Sequence, residues 1–492
     1  MGECRPEALE AAEPGRNRVG RRQQTEDGDR ASRTERQANL DPQSEIRNPK
    51  SKRVLLVFPR EKGVQFSNDT RYPFPILGLT LLAALFPKEY EIKIVNEAIE
   101  EIDFDEPVDL VGITGLTCVI RRAYEVADRF RERGVTVILG GVHPSLLPEE
   151  AKDHADSVFI GEAEGLLTGL IKDFEAGELK AFYKNRDWSD LENMPIARRD
   201  LLALRHRPFF KAIETTRGCP NRCDFCSVPI INGKRYRTRP LDEIDRELSS
   251  VVEREGEYLF IADDNVTARE DYAFGLFEIL KRHRVKWMGF TTIQIAKNER
   301  LLRSAQESGC VSLFIGFESL DQGSLDGVSK RFVPAGELSG LVKTIQDHRI
   351  GIHGSFIFGF DEDDRTVFKK TVDFVQRTNI ELPNFSILTP FPGTPLRKKL
   401  EEEGRLIDYH WSHYDMSHVV FKPKRMTVRE LQEGYLWAQK FTCAPRSILK
   451  RLIRGPRNHF LYFLISNFVL RGTQMKVIKR IRANSRQIAD GR

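Results

Sequence analysis

The chain has 492 residues, enough for roughly two to three domains with sizeable cores. Its 77 lysines and arginines against 72 aspartates and glutamates leave a net charge of +5, too small to indicate a nucleic-acid partner. An odd number of cysteines argues against a disulfide framework, and no apolar run approaches the ~18 residues of a membrane span. We therefore expect a cytoplasmic protein, peripheral at most to the inner face of the membrane.

Residues 1–50 differ in composition from the rest of the chain. They contain no Phe, Trp or Tyr, and their charged residues, Gly and Pro follow no period. Such a segment cannot bury enough apolar surface to offset the conformational entropy lost on ordering. We expect a disordered N-terminal extension.

Residues 51–175 alternate short apolar runs with helical patterns. The runs are Val54–Phe58, Glu91–Val95, Leu110–Ile113, Val135–Leu139 and Ser157–Ile160, and the helical patterns include Pro75–Pro87, Ile120–Arg133 and Glu149–Ala155. This alternation predicts an α/β domain, a doubly wound parallel sheet with helices on both faces. Ligands of such sheets bind at the carboxyl ends of the strands, where Thr114–Leu116 and Gly140–Gly141 stand.

The charged segment 176–208 is predicted to be an interdomain linker, and residues 209–425 form a second alternating series. Its predicted strands are Phe210–Glu214, Tyr258–Ala262, Trp287–Thr292, Val311–Phe317, Ile352–Phe358 and Phe385–Leu388. Six such units predict a partial TIM-like (β/α)6 barrel, whose chemistry lies at the carboxyl ends of its strands. Residues 426–492 are predicted to be a mainly helical, basic C-terminal region.

A three-cysteine loop follows the first predicted barrel strand. Cys219, Cys223 and Cys226 are close enough in sequence for their sulfurs to converge on one centre. Thiolates favour zinc or iron–sulfur clusters over hard cations. Since a 4Fe-4S cube normally takes four thiolates, three would leave one iron open as a reaction site. Two alternatives stay open, a zinc site completed by a distant ligand and a cluster used only for electron transfer.

The spacing of these cysteines, with Phe225 before the last, resembles the radical S-adenosylmethionine (radical SAM) superfamily. The resemblance implies a 4Fe-4S cluster on the three cysteines. In this superfamily the amino and carboxylate groups of S-adenosylmethionine chelate the open iron.

Later strand ends carry further residues that the resemblance implies for S-adenosylmethionine. Asp263 and Asp264 could accept hydrogen bonds from its ammonium group, although helix capping is an alternative role. Gly316-Phe-Glu318-Ser319 resembles the ribose-contacting motif, against which a buried salt bridge competes. The segment that includes Ile357 and Gly359 resembles the one that holds adenine, unless it is an ordinary strand and turn.

Residues 51–175, directly before this core, resemble the cobalamin-binding domain of one branch of the superfamily. The resemblance places Thr114, Leu116, Gly140 and Gly141 beside cobalamin. The Asp-x-His-x-x-Gly loop that supplies an axial histidine in other cobalamin proteins is missing, so cobalamin either binds without a protein histidine or has been lost. We expect a structural role for His143, in its Gly-Pro turn.

Two C-terminal features have less specific interpretations. Residues 410–418, with His410, His413, Tyr414, Asp415 and His418, are predicted to be a surface loop, and a patch that borders a substrate cavity is the alternative. Residues 446–486 contain 11 Lys or Arg and no Asp or Glu around an apolar stretch. They predict either contact with an anionic membrane surface or an amphipathic helix packed on the barrel.

Together these features predict a cobalamin-dependent radical SAM enzyme that methylates an unactivated carbon of a small-molecule or lipid substrate. Its partners would be that substrate and an electron donor such as flavodoxin or ferredoxin, with no nucleic acid. Rearrangement, cyclisation or oxidation without methyl transfer is an alternative, and a non-catalytic electron-transfer protein is another. Hopanoid-like lipids, tetrapyrrole precursors and antibiotic intermediates are all compatible with the sequence.

Overall fold

A computed structural model describes residues 51–61, 64, 76–185, 187–202, 210–328, 333–455 and 459–489, and for 484–489 only the backbone. The predicted disordered extension, 1–50, lies outside the described residues.

Residues 53–184 contain the six strands of a parallel sheet: β1 (Arg53–Phe58), β2 (Glu91–Asn96), β3 (Leu110–Thr114), β4 (Thr136–Gly140), β5 (Ser157–Ile160) and β6 (Phe182–Lys184). Their order in the sheet is β2-β1-β3-β4-β5-β6. The helices are α1 (Leu77–Leu85), α2 (Ile120–Arg131), α3 (Val142–Leu146), α4 (Pro148–Lys152) and α5 (Leu167–Ala176).

Both faces of this sheet are buried, as alternation along β1 illustrates. Leu55 and Val57 pack with α2 on one face, whereas Val54 and Leu56 pack with α1 and α5 on the other. Because successive strand residues point to opposite faces, an almost continuous apolar run satisfies two cores at once. The predicted doubly wound sheet is confirmed.

The sheet extends into the segment predicted to be a linker. Strand β6 lies within 176–208 and pairs in parallel with β5. The domain boundaries at residues 175, 208 and 425 stay predictions.

Residues 211–387 contain the six strands of a second parallel sheet: β7 (Lys211–Ile213), β10 (Tyr258–Ile261), β11 (Lys286–Thr291), β12 (Cys310–Glu318), β13 (Gly351–Phe358) and β14 (Leu382–Ile387). Their order in the sheet is β14-β13-β12-β11-β10-β7. Helices around it are α7 (Leu241–Val251), α8 (Glu270–Arg282), α9 (Glu299–Glu307), α10 (Gln322–Asp326), α11 (Leu338–Asp347), α12 (Thr366–Thr378) and α13 (Pro395–Glu402). This is the predicted partial barrel, with parallel strands joined through helices.

A short ribbon carries the cysteine loop out of the barrel. Strands β8 (Thr216–Arg217) and β9 (Arg237–Thr238) pair antiparallel, and the loop between them contains helix α6 (Val228–Ile231). The ribbon therefore closes the base of the loop, residues 218–236.

The C-terminal region is helical, as predicted, with α14 (Val428–Thr442), α15 (Pro445–Arg454) and α16 (Phe460–Ala489). A capping box between Thr427 and Glu430 starts α14. Arg451, buried in α15, donates to the Ile380 carbonyl and to Asn467 of α16, so these helices pack on the barrel. Among the described residues, none of the helices combines the length and the apolar character needed to cross a membrane.

Candidate active site

The three cysteine thiols open into one cavity at the carboxyl ends of the barrel strands. Its volume is about 290 Å³, and its walls include Cys219, Cys223, Cys226, Phe225, Asp264, Asn265, Phe290, Phe314, Gly316, Glu318 and Ser355. These residues are far apart in sequence and come together because parallel barrel strands end on one face. A larger recess of about 910 Å³ beside the first sheet contains none of the predicted site residues.

The two adjacent aspartates after β10, Asp263 and Asp264, point in different directions. Asp264 faces the cavity and accepts hydrogen bonds from Gly218 N at 3.1 Å and Asn232 Nδ2 at 3.2 Å. Asp263 points away and accepts from Thr215 N at 2.7 Å and Thr216 N at 3.0 Å. The structure thus brings only Asp264 to the cavity, while Asp263 ties the end of β10 to the chain before the cysteine loop.

Burial affects the protonation of both carboxyl groups. It raises the pKa of Asp263 to about 7 despite the hydrogen bonds from Thr215 and Thr216, which oppose the shift. Burial also raises the pKa of Asp264, against the opposing influence of Asn232, Gly218 and nearby arginines. A cationic ligand group beside Asp264 would favour its charged form.

Glu318 has an unusual backbone at the cavity wall. Its φ is 61°, in the left-handed region that glutamate rarely adopts, and its side chain is buried. The pairing of β12 with β13 shifts register between Gly316 and Glu318, which turns the end of the strand. Strain of this kind concentrates at ligand-binding sites, because surrounding structure must hold it in place.

Three other predicted residues do not line the cavity. Ser319 is buried, and its Oγ accepts from Asp321 N at 3.1 Å. Gly359 has a φ of 106°, and a Cβ there would lie 2.9 Å from Leu431 Cδ2, so helix packing requires the glycine. Ile357 packs against the barrel core, while Ser355, two residues earlier on β13, lines the cavity.

Sequence reasoning missed two groups of cavity residues, the rings of Phe290 and Phe314 and the hydroxyl of Ser355. Phe290 and Phe314 have ring centroids 4.8 Å apart and come from the neighbouring strands β11 and β12. Strand alternation is the signal that could have found them, since Phe314 shares a face of β12 with Gly316.

The predicted cobalamin residues lie at the ends of β3 and β4. Gly115 N donates to the Gly140 carbonyl at 2.8 Å. Gly141 has a φ of 91°, and a Cβ on it would lie 2.5 Å from Thr114 Oγ1. Leu116, which follows, packs with Cys118 and Val119. Glycine is needed here for both its backbone conformation and the close approach of the two loops.

His143 is fully buried in the turn after β4. Its Nε2 lies 3.1 Å from Glu150, and its ring packs edge-to-face on Trp411 at 5.0 Å. Trp411 Nε1 also donates to Glu150 at 3.1 Å. These contacts give His143 a structural role, joining the first sheet to residues after the barrel.

The 410–418 segment, predicted to be a surface loop, is largely an interior one. Tyr414 and Asp415 are fully buried. Asp415 accepts from His418 Nδ1 at 2.9 Å and from Arg480 of α16 at 3.3 Å. The expectation is wrong because α16 and the segment around Cys118 cover this loop, contacts that the local pattern does not reveal.

Loops from the two sheets meet beside the cysteine loop. Helices α3 and α6 are in contact. Leu146 of α3 and Ile230 of α6 both approach Gly393 within van der Waals range of a Cβ placed there. The ligand-binding edge of the first sheet therefore lies next to the mouth of the barrel.

The thiols of Cys219, Cys223 and Cys226 fit an iron–sulfur cube, because all three line one cavity and thiolates are the ligands that such clusters take. At the first sheet, buried Thr117 Oγ1 has no hydrogen-bond partner among the described residues, which fits a site for a polar ligand.

Two family models match the chain, one over the first sheet and one over the barrel. A B12 binding domain model matches residues 68–171, and a radical SAM superfamily model matches residues 213–375. The bacteriochlorophyllide d C-12(1)-methyltransferase of Chlorobaculum tepidum is 32% identical over 432 residues, 85% of this chain and 93% of the relative. The chain belongs to the cobalamin-binding radical SAM family. It is therefore a radical SAM enzyme that uses a 4Fe-4S cluster, S-adenosylmethionine and cobalamin.

Two further relatives also match most of this chain. The bacteriochlorophyllide d C-8(2)-methyltransferase of the same organism is 29% identical, covering 84% of this chain and 95% of the relative. The hopanoid C-2 methylase of Rhodopseudomonas palustris is 26% identical, covering 73% and 71%.

Two solved structures share the fold of this chain. OxsB, a cobalamin-dependent S-adenosylmethionine radical enzyme, superposes with a TM-score of 0.65 at 16% identity, covering 89% of this chain and 76% of OxsB. TsrM from Kitasatospora setae, with cobalamin and a [4Fe-4S] cluster bound, gives a TM-score of 0.63 at 15% identity, covering 88% and 100%.

Proposed function

We propose that this radical SAM enzyme transfers a methyl group to an unactivated carbon of an apolar small molecule. The observation that supports it most is the single cavity in which three thiols, Asp264 and Glu318 face one another beside the loops of the first sheet. When bound, the cofactors supply reductive cleavage of S-adenosylmethionine and delivery of the methyl group.

Cys219, Cys223 and Cys226 would hold three irons of the cluster, with Phe225 as part of the same wall. Asp264 would accept from the ammonium group of S-adenosylmethionine, and Glu318 from the ribose hydroxyls. Gly316, which has no side chain, would leave room beside Glu318 for the nucleoside. Phe290 and Phe314 give the cavity an apolar side that limits water.

Thr114, Leu116, Gly140 and Gly141 would contact cobalamin at the edge of the first sheet. His143 is not offered as a cobalt ligand, because its Nε2 is engaged with Glu150 and its ring is buried against Trp411. The enzyme would thus hold cobalamin without an axial histidine from this turn.

A tetrapyrrole side chain is the substrate class that we favour. Two relatives that each match more than four-fifths of this chain are bacteriochlorophyllide methyltransferases. A hopanoid lipid is the second candidate, because a hopanoid methylase matches 73% of the chain.

The test is incubation of the reduced, reconstituted enzyme with S-adenosylmethionine carrying a trideuterated methyl group. A bacteriochlorophyllide and a hopanoid serve as alternative acceptors. We expect a tetrapyrrole product that is heavier by the labelled methyl group. Cleavage of S-adenosylmethionine with an unlabelled, rearranged or oxidised product would instead favour the alternative without methyl transfer.

We also propose that the C-terminal helices contact the cytoplasmic face of an anionic membrane. Leu449 and Ile453 of α15 and Leu461, Ile465 and Phe468 of α16 are exposed, at one-turn spacings within each helix. Lysines and arginines flank them, among them Lys450 and Arg454. An apolar helix face bordered by basic residues suits an anionic bilayer surface.

Flotation with vesicles of phosphatidylcholine and phosphatidylglycerol tests this contact. The wild-type enzyme should float, and the double variant Leu461→Glu/Ile465→Glu should not. Ile196→Glu is the control, since Ile196 is 45% exposed, close to the 47% of Ile465, but lies outside these helices. Equal flotation of the double variant would contradict the proposal.

An electron donor such as flavodoxin or ferredoxin would supply the electron that reduces the cluster.

A further inference from the structure

The ribbon that closes the cysteine loop places two arginines directly opposite each other. Arg217 of β8 pairs with Arg237 of β9, one on each side of the loop 218–236. Like charges in directly opposite positions destabilise a strand pair. Both guanidinium groups are also buried, where an uncompensated charge is costly. The loop can therefore close only if carboxylates neutralise this pair.

Two of those carboxylates come from the first sheet. Arg217 contacts Glu164 at 2.6 Å and Glu162 at 3.4 Å, and Arg237 contacts Glu162 at 2.5 Å. The third, Glu214, lies on the barrel side and contacts Arg217 at 2.8 Å. Exposure of the five side chains ranges only from 6% to 17%. Glu162 and Glu164 thus connect the turn after β5 to both strands of the ribbon.

Hydrogen bonds continue from this network in both directions. On one side Arg237 Nη2 donates to the Asn232 carbonyl, inside the cysteine loop, at 2.8 Å. On the other side Gly161 N donates to Ser145 Oγ at 2.9 Å, and Ser145 Oγ donates to the Gly141 carbonyl at 2.6 Å. Gly141 is one of the residues proposed for cobalamin. A contiguous path therefore runs from the cobalamin loop to the cysteine loop.

Glu162 is ionised at neutral pH. Its burial alone would raise its pKa, but the hydrogen bond from Arg237 and the charges of Arg217 and Arg237 hold the pKa below the usual range. The path is thus anchored by buried, charged contacts rather than by exposed side chains, which solvent would screen.

We propose that Glu162 and Glu164 are positioning residues that couple occupation of the cobalamin site to the order of the cysteine loop. Through Arg217 and Arg237 they hold the ribbon closed, and Ser145 connects them to Gly141. The inference rests on the cofactor assignments proposed above. It adds that binding at one site changes the other, and that the coupling is reciprocal.

The test is hydrogen–deuterium exchange of the cysteine loop in the full chain, with and without hydroxocobalamin. In the wild-type protein, hydroxocobalamin should slow exchange in residues 218–236 by about fivefold or more, the lower end of typical coupling between sites. The double variant Glu162→Gln/Glu164→Gln should still bind hydroxocobalamin but lose this response. This readout does not depend on turnover.

Glu247→Gln is the matched control. Glu247, whose side chain is 1% exposed, is buried at least as deeply as Glu162 and Glu164 and contacts two arginines, Arg199 and Arg239, each at 2.7 Å. It lies in the barrel helix α7, outside the turn after β5. It should keep the full response. Loss of the response in Glu247→Gln would show that any broken buried ion pair has the effect, and would overturn the proposal. A full response in the double variant would also overturn it.

If the double variant does not fold, Ser145→Ala replaces it, because that substitution removes only the link between Gly141 and Gly161. We expect at least about a twofold smaller response, and an unchanged response would overturn the proposal. Failure of the wild-type protein to bind hydroxocobalamin is a different result. It would contradict the cobalamin site itself.

Discussion

The barrel mouth and the edge of the first sheet present ligands with different kinds of surface. At the barrel mouth, side chains from the cysteine loop and from strands β11, β12 and β13 converge on one cavity. At the edge of the first sheet, backbone groups and glycines dominate, with Gly141 packed against Thr114. We therefore expect a substitution at the barrel mouth to remove an individual interaction with a ligand. A substitution at the edge of the first sheet should instead change the shape of the binding surface.

The largest effect should come from the thiols. Cys223→Ala should abolish both cluster incorporation and cleavage of S-adenosylmethionine, because an iron of the cube loses its ligand. Iron analysis and 5′-deoxyadenosine formation measure the two effects. The control is Cys310→Ala, since Cys310 is buried in the barrel core away from the cavity. Full activity of Cys223→Ala would refute the cluster assignment.

The next largest effect should come from Glu318, which lines the cavity. Glu318→Gln keeps the shape of the side chain but removes its charge. We expect S-adenosylmethionine binding to weaken by about 10- to 100-fold, the loss of a hydrogen bond to a charged group. Isothermal titration of the reconstituted protein measures it. Ser319→Ala, next in sequence but outside the cavity wall, should bind almost normally. Equal losses in the two variants would contradict this assignment.

Substitutions of the two adjacent aspartates should have different effects, one on the binding of S-adenosylmethionine and the other on protein stability. Asp264→Asn should weaken S-adenosylmethionine binding with little change in unfolding free energy. Asp263→Asn should do the reverse and alter the pH dependence of stability. The folded-state pKa of Asp263 is raised to about 7. The native state therefore binds this proton more tightly than the unfolded state, and stability falls as pH rises from about 4 to 7.

Denaturant unfolding between pH 5 and pH 8 measures that pH dependence. Asp263→Asn cannot ionise, so the difference in unfolding free energy, wild type minus variant, should decrease as pH rises. A difference that stays constant, or increases, with pH would show that Asp263 is ionised throughout in the folded protein.

The smallest effect should come from the edge of the first sheet. Gly141→Ala combines a positive φ with a collision against Thr114 Oγ1 and should weaken hydroxocobalamin binding by about tenfold, the equivalent of about 1.4 kcal/mol. Gly134→Ala is the control, because Gly134 has a φ of 76° but open space around its Cα. If both variants bind equally well, close packing of the two loops is not needed for cobalamin.

The sequence predicted the features that depend on local pattern. Apolar runs alternating with helices were enough for both parallel sheets, and the cysteine spacing was enough to locate the loop. Strand β6 was missed because its three residues, Phe182–Lys184, are too short to show a period. The 410–418 segment was misplaced because contacts distant in sequence bury it.

The sequence could not predict how deeply a side chain at the end of a strand lies in the barrel, or in which direction it points. Asp263 and Asp264 are chemically identical neighbours, and only the turn after β10 decides which one faces the cavity. Ile357 and Ser355 share a face of β13, but they lie at different heights along the barrel. Glu162 and Glu164, which contact Arg217 and Arg237, lie in the turn after β5 of the first sheet. Neither spacing nor period therefore relates these two glutamates to the cysteine loop.

The most direct test of the central claim is the cofactor content of anaerobically purified, reconstituted protein. We expect about four irons and about one cobalamin per chain, the content of one cube and one cofactor. Four irons without cobalamin would leave a radical SAM enzyme whose first sheet serves another ligand, and the methyl-transfer proposal would be wrong.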